Sequence, residues 1–292
     1  MILPRLFPVI LLTLAPCAFA QERDGENILS MSEKADGWKL LFDGKTVTGL
    51  VGLQKREFLK QGWAIREGAL VLPKSIRESG KMTGGDLVTS EGYSDFEFRF
   101  DFKLAAAAQS GVLYFARGAA GQKPSGHEYQ IIDDVHHPDG LKGGPICRTA
   151  ALYGVLPAKA GTQVRMAERP DEELWNEGRI VVQGNRVEHW LNEQKVLEYE
   201  LGSAALKEAV RENKAKVHPL FGSKIKSSLA ILDKGEEVAF RNLKVRAISA
   251  TPPPPPPPLG ALPTAGVEAA SVMPAKPAWK LPPPPPAPIL KP

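Results

Sequence analysis

Four phenylalanines at alternate positions place the strongest constraint on how this chain folds. Residues 96–103 read FEFRFDFK, so an aromatic side chain alternates with a charged one over eight positions. A period of two puts all four rings on one face of a β-strand and all four charges on the other. We therefore expect a sheet with one face against a core and one charged, solvated face.

Other segments show the same strand pattern, with turn residues between them. Glu67-Gly68 separates two short apolar runs, and Gly184-Asn185 separates the two arms of a predicted hairpin, 179–182 and 186–191. One helix is predicted at 204–214, with Ser203 as its N-cap. Many short strands and a single short helix predict an all-β domain, a two-sheet jelly-roll β-sandwich.

The two ends of the chain differ from this middle block. Residues 1–20 carry Arg5, an apolar run and the A-x-A string at 18–20, which predicts a secretory signal peptide. Residues 21–36 are polar and predict a flexible leader, and residues 37–248 predict one domain. Residues 249–292 include seven consecutive prolines at 252–258 and predict a disordered, proline-rich tail.

Export would make the protein extracytoplasmic, either periplasmic or secreted. Cleavage after Ala20 removes Cys17 and leaves Cys147 alone, so we expect no internal disulfide and an inert thiol. The net charge of +4 comes without a basic run interleaved with aromatics, so we expect no nucleic-acid partner. No long apolar segment follows the signal, so we expect no membrane span. The tail is interpreted as a spacer, or as a contact for the cell envelope or a proline-binding partner.

The densest polar stretch lies at 127–139 and reads HEYQIIDDVHHPD. On a strand, Glu128 and Gln130 share one face, while Tyr129 and Ile131 share the other. We expect Tyr129 and Ile131 in the core and Glu128 and Gln130 on a solvated face that forms a ligand groove. Charged residues on a wet sheet face are also ordinary, so the pattern alone leaves both interpretations open.

The loop after this strand holds further candidates, because functional residues often collect in loops. Glu128 and Asp133 lie about 17 Å apart on an extended strand, farther than the about 5–9.5 Å of a glycosidase carboxylate pair. A partner is therefore expected from elsewhere, with His189 and its neighbour Glu188 as candidates. Trp190 is interpreted either as a ring that stacks on a sugar or as an aromatic residue of the core.

A divalent metal is the other possibility for this stretch. Carboxylates and imidazoles are suitable ligands for such an ion. The candidate ligands are Glu128, Asp134, His136 and His137.

Seven groups of residues, in this order along the chain, together resemble the 3-keto-disaccharide hydrolase domain family. They are WKLLFDGK at 38–45, YSDFE at 93–97, QSGV at 109–112, EYQIIDD with HPD at 128–139, RT, LY and PA within 148–158, WN and EHWLN at 175–192, and FRNL at 240–243. The resemblance covers about residues 37–248. It implies a concanavalin A-like jelly roll in exported proteins that act on glycosides oxidised at sugar carbon 3.

Such an activity needs a base for the C2 proton, which the C3 ketone acidifies, and donors or a cation for the enolate oxygen. The leaving group then departs from C1, and water adds. The resemblance implies Glu128, Asp133, Asp134, His136 and His189 as the available bases, acids or ligands. It implies Gln130, Arg148, Tyr153 and Trp190 as the residues that contact the sugar.

Three positions depart from the family pattern. Leu232 and Lys234 stand where a glutamine and a histidine are expected, and Gly154 stands where an aspartate is common. Loss of that histidine keeps a second hypothesis open: a non-catalytic carbohydrate-binding or adhesive module on the same fold. A carbohydrate is the expected ligand under both hypotheses.

Overall fold

A computed structural model describes residues 25–53, 57–58, 62–74, 85–117, 124–167, 172–213 and 217–250. The predicted signal peptide, and the predicted tail from residue 251 onward, lie outside the described residues. The described helices are α1 (Met31–Ala35), α2 (Pro138–Lys142) and α3 (Ala204–Glu212), with a 3-10 turn at Pro145–Cys147. The described strands are β1 (Lys39–Leu40), β2 (Leu50–Gly52), β3 (Ala64–Arg66), β4 (Ala69–Leu72), β5 (Leu87–Thr89), β6 (Phe96–Leu104), β7 (Gln109–Arg117), β8 (Ser125–Ile132), β9 (Asn176–Gln183), β10 (Arg186–Leu191), β11 (Gln194–Glu200), β12 (Ala230–Ile231) and β13 (Val238–Ala247).

The strands form two antiparallel sheets, which confirms the predicted β-sandwich. The larger sheet has the order β11-β10-β9-β6-β13-β4-β3, with β1 paired to β13, and the smaller has the order β2-β5-β12-β7-β8. The four phenylalanines of β6 are buried in the core between the sheets. Phe100 packs edge-on against Tyr129 of the smaller sheet, with ring centroids 5.4 Å apart. The alternation in 96–103 therefore sets which face of the larger sheet meets the core.

The outer face of the larger sheet is more densely packed than a wet face. Glu97 is only 2% exposed, although its side chain points away from the core. Arg99, Arg179 and Arg246 all pair with its carboxylate. Burial alone would raise the pKa of Glu97, but the three guanidinium groups lower it overall. Trp38 covers this cluster, with the guanidinium of Arg99 4.8 Å from its ring centroid.

The predicted flexible leader contacts β13 of the larger sheet through Asn27 and Glu33. Its described part contains α1, whose N-cap Ser30 forms a reciprocal capping box with Glu33. Glu33 also forms an ion pair with Lys244 of β13. Asn27 and Asn242 exchange backbone-to-side-chain hydrogen bonds of 2.6 and 2.8 Å. This polar segment attaches through caps and paired side chains, which a search for apolar periodicity does not detect.

The predicted helix is confirmed as α3, and Ser203 caps it by accepting a hydrogen bond from the amide of Leu206. The two shorter helices were not predicted. α2 begins directly after His137, with Pro138 in its first turn. None of the helices among the described residues is long and apolar enough to cross a membrane.

Candidate functional site

Strands β7 and β8 present a polar pair on the outer face of the smaller sheet. Gly111 pairs with Gln130 and Leu113 pairs with Glu128, so these four residues share one face. Tyr129 lies in the core with no exposed surface, as the alternation predicts. Gln130 is also fully buried, which corrects the expected solvated position. The face around Glu128 is therefore enclosed rather than open.

Lys234 encloses it. Its ammonium Nζ lies 2.6 Å from Oε1 of Glu128 and 2.9 Å from Oε1 of Gln130. Oε1 of Gln109 lies 3.4 Å away on the neighbouring strand. The side chains of Lys234 and Glu128 are 14% and 15% exposed, so both keep some solvent-accessible surface. The result is a half-buried ion pair in which side-chain oxygens surround one cation.

Two local features fix the geometry of this pair. A Cβ atom at Gly111 would lie 2.7 Å from Oε1 of Glu128, so only glycine leaves room for the carboxylate. Gln130 turns its oxygen toward Lys234, and its buried Nε2 has no hydrogen-bond partner among the described residues. Since an unmet buried donor costs about 1–3 kcal/mol, this amide favours an acceptor at the site.

Tyr153 and Asp139 form the adjoining wall. The Tyr153 hydroxyl donates a 2.6 Å hydrogen bond to Oδ2 of Asp139, and the Lys234 ammonium lies 4.9 Å from the Tyr153 ring centroid. Burial and the contact with Asp139 raise the pKa of Tyr153, so the phenol stays protonated. His137 caps α2 by accepting from the Asp139 amide, and its Nε2 lies 3.6 Å from Glu236. The wall therefore places a neutral hydroxyl, hydrogen-bonded to Asp139, beside the ion pair.

Asp133 and His136 occupy the loop after β8 in a different role. One Asp133 oxygen accepts from the amides of Val135 and His136, and the other accepts from Ala107 and from the His136 ring. These bonds lower the pKa of Asp133, although its burial opposes the shift. His136 is 64% exposed. The Asp133 carboxylate thus holds the turn and has little capacity left for chemistry.

Asp134 and Arg148 flank the same loop. Asp134 accepts from the Thr149 amide at 2.8 Å, and burial raises its pKa. Arg148 is exposed at the end of the 3-10 turn. None of the contacts that define the ion pair involves Asp134 or Arg148.

His189 lies in the core rather than beside Glu128. Its Nδ1 bonds the Ala150 carbonyl at 2.8 Å, and its Nε2 bonds the Tyr114 hydroxyl at 2.7 Å. Its ring packs 4.8 Å from Tyr129, on the core side of β8, whereas Glu128 is on the opposite side. The expected convergence of His189 with Glu128 is therefore not formed, because strand β8 lies between them.

Trp190 lies on the outer face of the larger sheet. Its indole nitrogen donates to Glu188, and the Arg179 guanidinium stacks on its ring at 4.8 Å. The Glu128 ion pair is on the smaller sheet, so Trp190 and Glu128 occupy opposite outer faces of the sandwich.

The proposed metal ligands are not assembled. Among the described residues, no three histidine, cysteine, aspartate or glutamate side chains come together in a geometry that would hold a metal ion. Cys147 is buried, and burial is the main cause that raises its pKa, as expected for an inert thiol.

Sequence reasoning missed the partners of Glu128. In the sequence, Lys234 was noted only as a departure from the family pattern. Gln109 and Asp139 were noted only as members of segments that resemble the family. Leu232, the other departure, joins a small apolar cluster with Val88, Leu113 and Ala230. The exchange of a histidine for another cationic residue was the available signal for Lys234, but only the fold shows that it reaches β8.

Three comparisons place the chain among known proteins. It is 28% identical over 243 residues to a protein named 3-keto-disaccharide hydrolase from Bacteroides thetaiotaomicron, and the match covers 75% of this chain and 81% of that protein. A crystal structure of a protein assigned as a glycosyl hydrolase from Parabacteroides distasonis is 28% identical, with a TM-score of 0.65, and covers 77% of this chain and 100% of that one.

A second Parabacteroides distasonis structure with the same assignment is 23% identical, with a TM-score of 0.53, and covers 72% of this chain and 99% of that one; it shows the shared fold. The family model described as the 3-keto-alpha-glucoside-1,2-lyase-like domain matches residues 37–246. That match takes in every described strand except the last residue of β13. The chain therefore belongs to the family of 3-keto-alpha-glucoside-1,2-lyase-like domains.

Proposed function

We propose that this protein is an enzyme that cleaves 3-keto-glycosides or 3-keto-disaccharides by elimination followed by hydration. Family membership and the name of the Bacteroides relative support glycoside processing of the 3-keto-disaccharide hydrolase type. The observation that carries the proposal is the half-buried pair of Glu128 and Lys234, a carboxylate base beside a cation. Elimination next to a ketone needs these two groups close together.

The chemistry follows from the ketone. Glu128 removes the C2 proton, and the electron pair of the C2–H bond moves to the C3 oxygen as an enolate. The enolate re-forms the ketone, a C1–C2 double bond forms, and the C1–O bond breaks as the leaving oxygen takes a proton. Water then adds its oxygen to C1 and a proton to C2. The balance is net hydrolysis of the glycoside without an added oxidant or reductant.

Neighbouring groups suit the remaining tasks. A carboxylate offers about four acceptor positions, so Glu128 can hold Lys234 and still accept a proton. The buried Nε2 of Gln130 supplies a donor that lacks a partner among the described residues. The Tyr153 hydroxyl, kept neutral by its raised pKa, gives its hydrogen to Asp139 and leaves its oxygen as an acceptor. We assign the Gln130 donor and the Tyr153 acceptor to the polar groups of the sugar.

We also propose that the protein works outside the cytoplasm. The support is the signal-like string that ends at Ala20, which lies outside the described residues. Sequencing the N-terminus of the protein recovered from its native host tests this prediction. Gln21 as the first residue supports export, whereas an intact Met1 contradicts it.

Substrate comparison tests the catalytic proposal. The purified protein is incubated with a 3-keto-disaccharide and with its unoxidised parent, each with and without added divalent metal. We expect fast cleavage of the ketone substrate alone, because only the ketone acidifies the C2 proton. Equal rates on both sugars would point to ordinary two-carboxylate hydrolysis. Binding without cleavage of either sugar would favour a carbohydrate-binding module.

A further inference from the structure

The cation at the centre of the site belongs to the polypeptide itself. Oxygens of Glu128, Gln130 and Gln109 lie 2.6, 2.9 and 3.4 Å from Nζ of Lys234. Carboxylate and amide oxygens are the ligands that hard metal ions such as Ca²⁺ and Mg²⁺ prefer. Here they converge on an ammonium group, which has three N–H donors to meet them.

The position of this ammonium relative to Glu128 matters for the enolate. A base that removes the C2 proton must lie beside C2, and the C3 oxygen is attached to the adjacent carbon. A cation in direct contact with the base therefore lies within reach of that oxygen. Because Lys234 is only 14% exposed, its interaction with a developing negative charge is weakly screened by water.

We propose that the Lys234 ammonium is the resident cation of the site, which binds the C3 oxygen as it becomes an enolate, so that the reaction proceeds without a divalent metal. This inference rests on the proposed function. It identifies Lys234 as a catalytic residue that acts together with Glu128. It also makes Lys234 a specificity determinant, because only a substrate with a ketone at C3 develops negative charge on the C3 oxygen. The histidine expected here by family resemblance is replaced by a lysine, whose ammonium is a compact point charge.

A covalent role for Lys234 is less favoured by the same contacts. Attack on the ketone to form an imine needs a free amine lone pair, which an ammonium lacks. The Glu128 carboxylate lies 2.6 Å from Nζ of Lys234, in the geometry of an ion pair rather than of a free amine. Electrostatic stabilisation needs the charged form that the ion pair maintains.

The test uses the full-length protein and three variants. Lys234→Met keeps the length of the side chain and removes its charge, Lys234→Arg keeps the charge, and Lys207→Met on the exposed face of α3 is the matched control. Melting temperatures check folding. Cleavage of a 3-keto-disaccharide and exchange of its C2 hydrogen in deuterated water are measured across the pH range, with and without the chelator EDTA.

We expect EDTA to leave the unmodified protein fully active. Lys234→Met should lose about 10²–10³-fold in kcat, the usual effect of removing one group that stabilises an oxyanion, and C2 exchange should fall in parallel. The loss should hold up to about pH 9, where an ordinary lysine, with a pKa of about 10.4, stays charged. Lys234→Arg should recover part of it, and Lys207→Met should match the unmodified protein. If Lys234→Met does not fold, Lys234→Gln and the EDTA measurement on the unmodified protein carry the test.

Several results would overturn the inference. They are loss of activity of the unmodified protein with EDTA, full activity of Lys234→Met, and a loss that has already disappeared by about pH 8, well below the ordinary lysine pKa of about 10.4. The last result would mean that Lys234 only adjusts the protonation of Glu128. Borohydride trapping of substrate on Lys234 would show an imine instead. In these cases the unmodified protein still cleaves the ketone substrate. A protein that neither cleaves nor exchanges 3-keto sugars fails the proposed function itself, and this inference with it.

Discussion

Nζ of Lys234 lies 2.6 Å from Oε1 of Glu128, on the outer face of the smaller sheet. Glu128 comes from β8, and Lys234 comes from the loop between β12 and β13, 106 residues later in the chain. The β-sandwich thus brings a base and a cation into contact from distant parts of the sequence.

Substitution on the two faces of β8 should have opposite effects. Glu128→Gln should abolish turnover and destabilise the domain less than Ile131→Ala does, because the amide oxygen still accepts a hydrogen bond from the Lys234 ammonium. Ile131→Ala should leave the site chemistry in place and cost about 2–5 kcal/mol, because it opens a cavity in the core. Urea unfolding and one activity assay measure both. If Glu128→Gln keeps its activity and loses stability, the carboxylate is structural.

Gly111→Ala should damage the site through a single methyl group. The added Cβ would lie 2.7 Å from Oε1 of Glu128, so the carboxylate must move away from Lys234. We expect turnover to fall by at least about 10-fold, because misplaced groups lose the geometry that catalysis needs. Gly92→Ala is the control, since its nearest new contact is an ordinary 3.4 Å. Equal activity of the two variants would argue against the assigned position of Glu128.

Asp133→Asn should act on stability rather than on the chemical step. The carboxylate accepts from three backbone amides and the His136 ring. We expect a loss of about 1.5–3 kcal/mol, the usual contribution of hydrogen bonds to a charged group. Glu212→Gln, an exposed acid at the end of α3, is the matched control. If the activity per folded molecule instead falls as far as in Glu128→Gln, Asp133 has a catalytic role.

Acid should destabilise the domain through two buried histidines. A hydrogen-bonded chain links His127, Tyr199, Tyr114 and His189, with 2.7 Å between each pair of neighbours. Burial lowers the pKa of His127 to about 3 and that of His189 to about 4. As pH falls below the ordinary histidine pKa of about 6.5, the unfolded chain therefore takes up protons before the folded one.

Each buried histidine should then remove about 1.4 kcal/mol of unfolding free energy per pH unit, until the pH reaches its folded pKa. Urea unfolding between about pH 7 and about pH 5 measures the slope, because carboxylates paired in the folded protein lose their contribution mainly below about pH 5. His189→Gln should reduce the slope by about half, since only His127 remains. A stability that does not change over this range would mean that the two rings are already protonated in the folded state.

Sequence patterning was sufficient for the fold because period-two alternation depends on local backbone geometry. The FEFRFDFK string predicted β6 and its buried face, and Ser203 predicted the start of α3. The contacts of the leader with β13 were not predicted, because Asn27 and Glu33 form polar contacts with residues more than 200 positions away. A periodic pattern within a short segment gives no information about contacts between residues so far apart in the chain.

The sequence predicted the residues that β8 contributes to the site, but not their partners. Side-chain parity on β8 correctly separated Glu128 and Gln130 from Tyr129 and Ile131. The partners could not be chosen in the same way, because His189 and Lys234 both come from distant segments. Only the packing of the sheets shows that His189 turns into the core whereas Lys234 meets Glu128.

Deuterium incorporation at C2 shows whether Glu128 abstracts the C2 proton during cleavage. The protein is incubated with a 3-keto-disaccharide in deuterated water, and early product is analysed by NMR against product exposed to the same solvent without enzyme. Elimination and hydration predict that each cleaved sugar carries solvent deuterium at C2, at a level well above the enzyme-free control, and that Glu128→Gln forms none. Cleavage with the original hydrogen retained at C2 would contradict proton abstraction by Glu128.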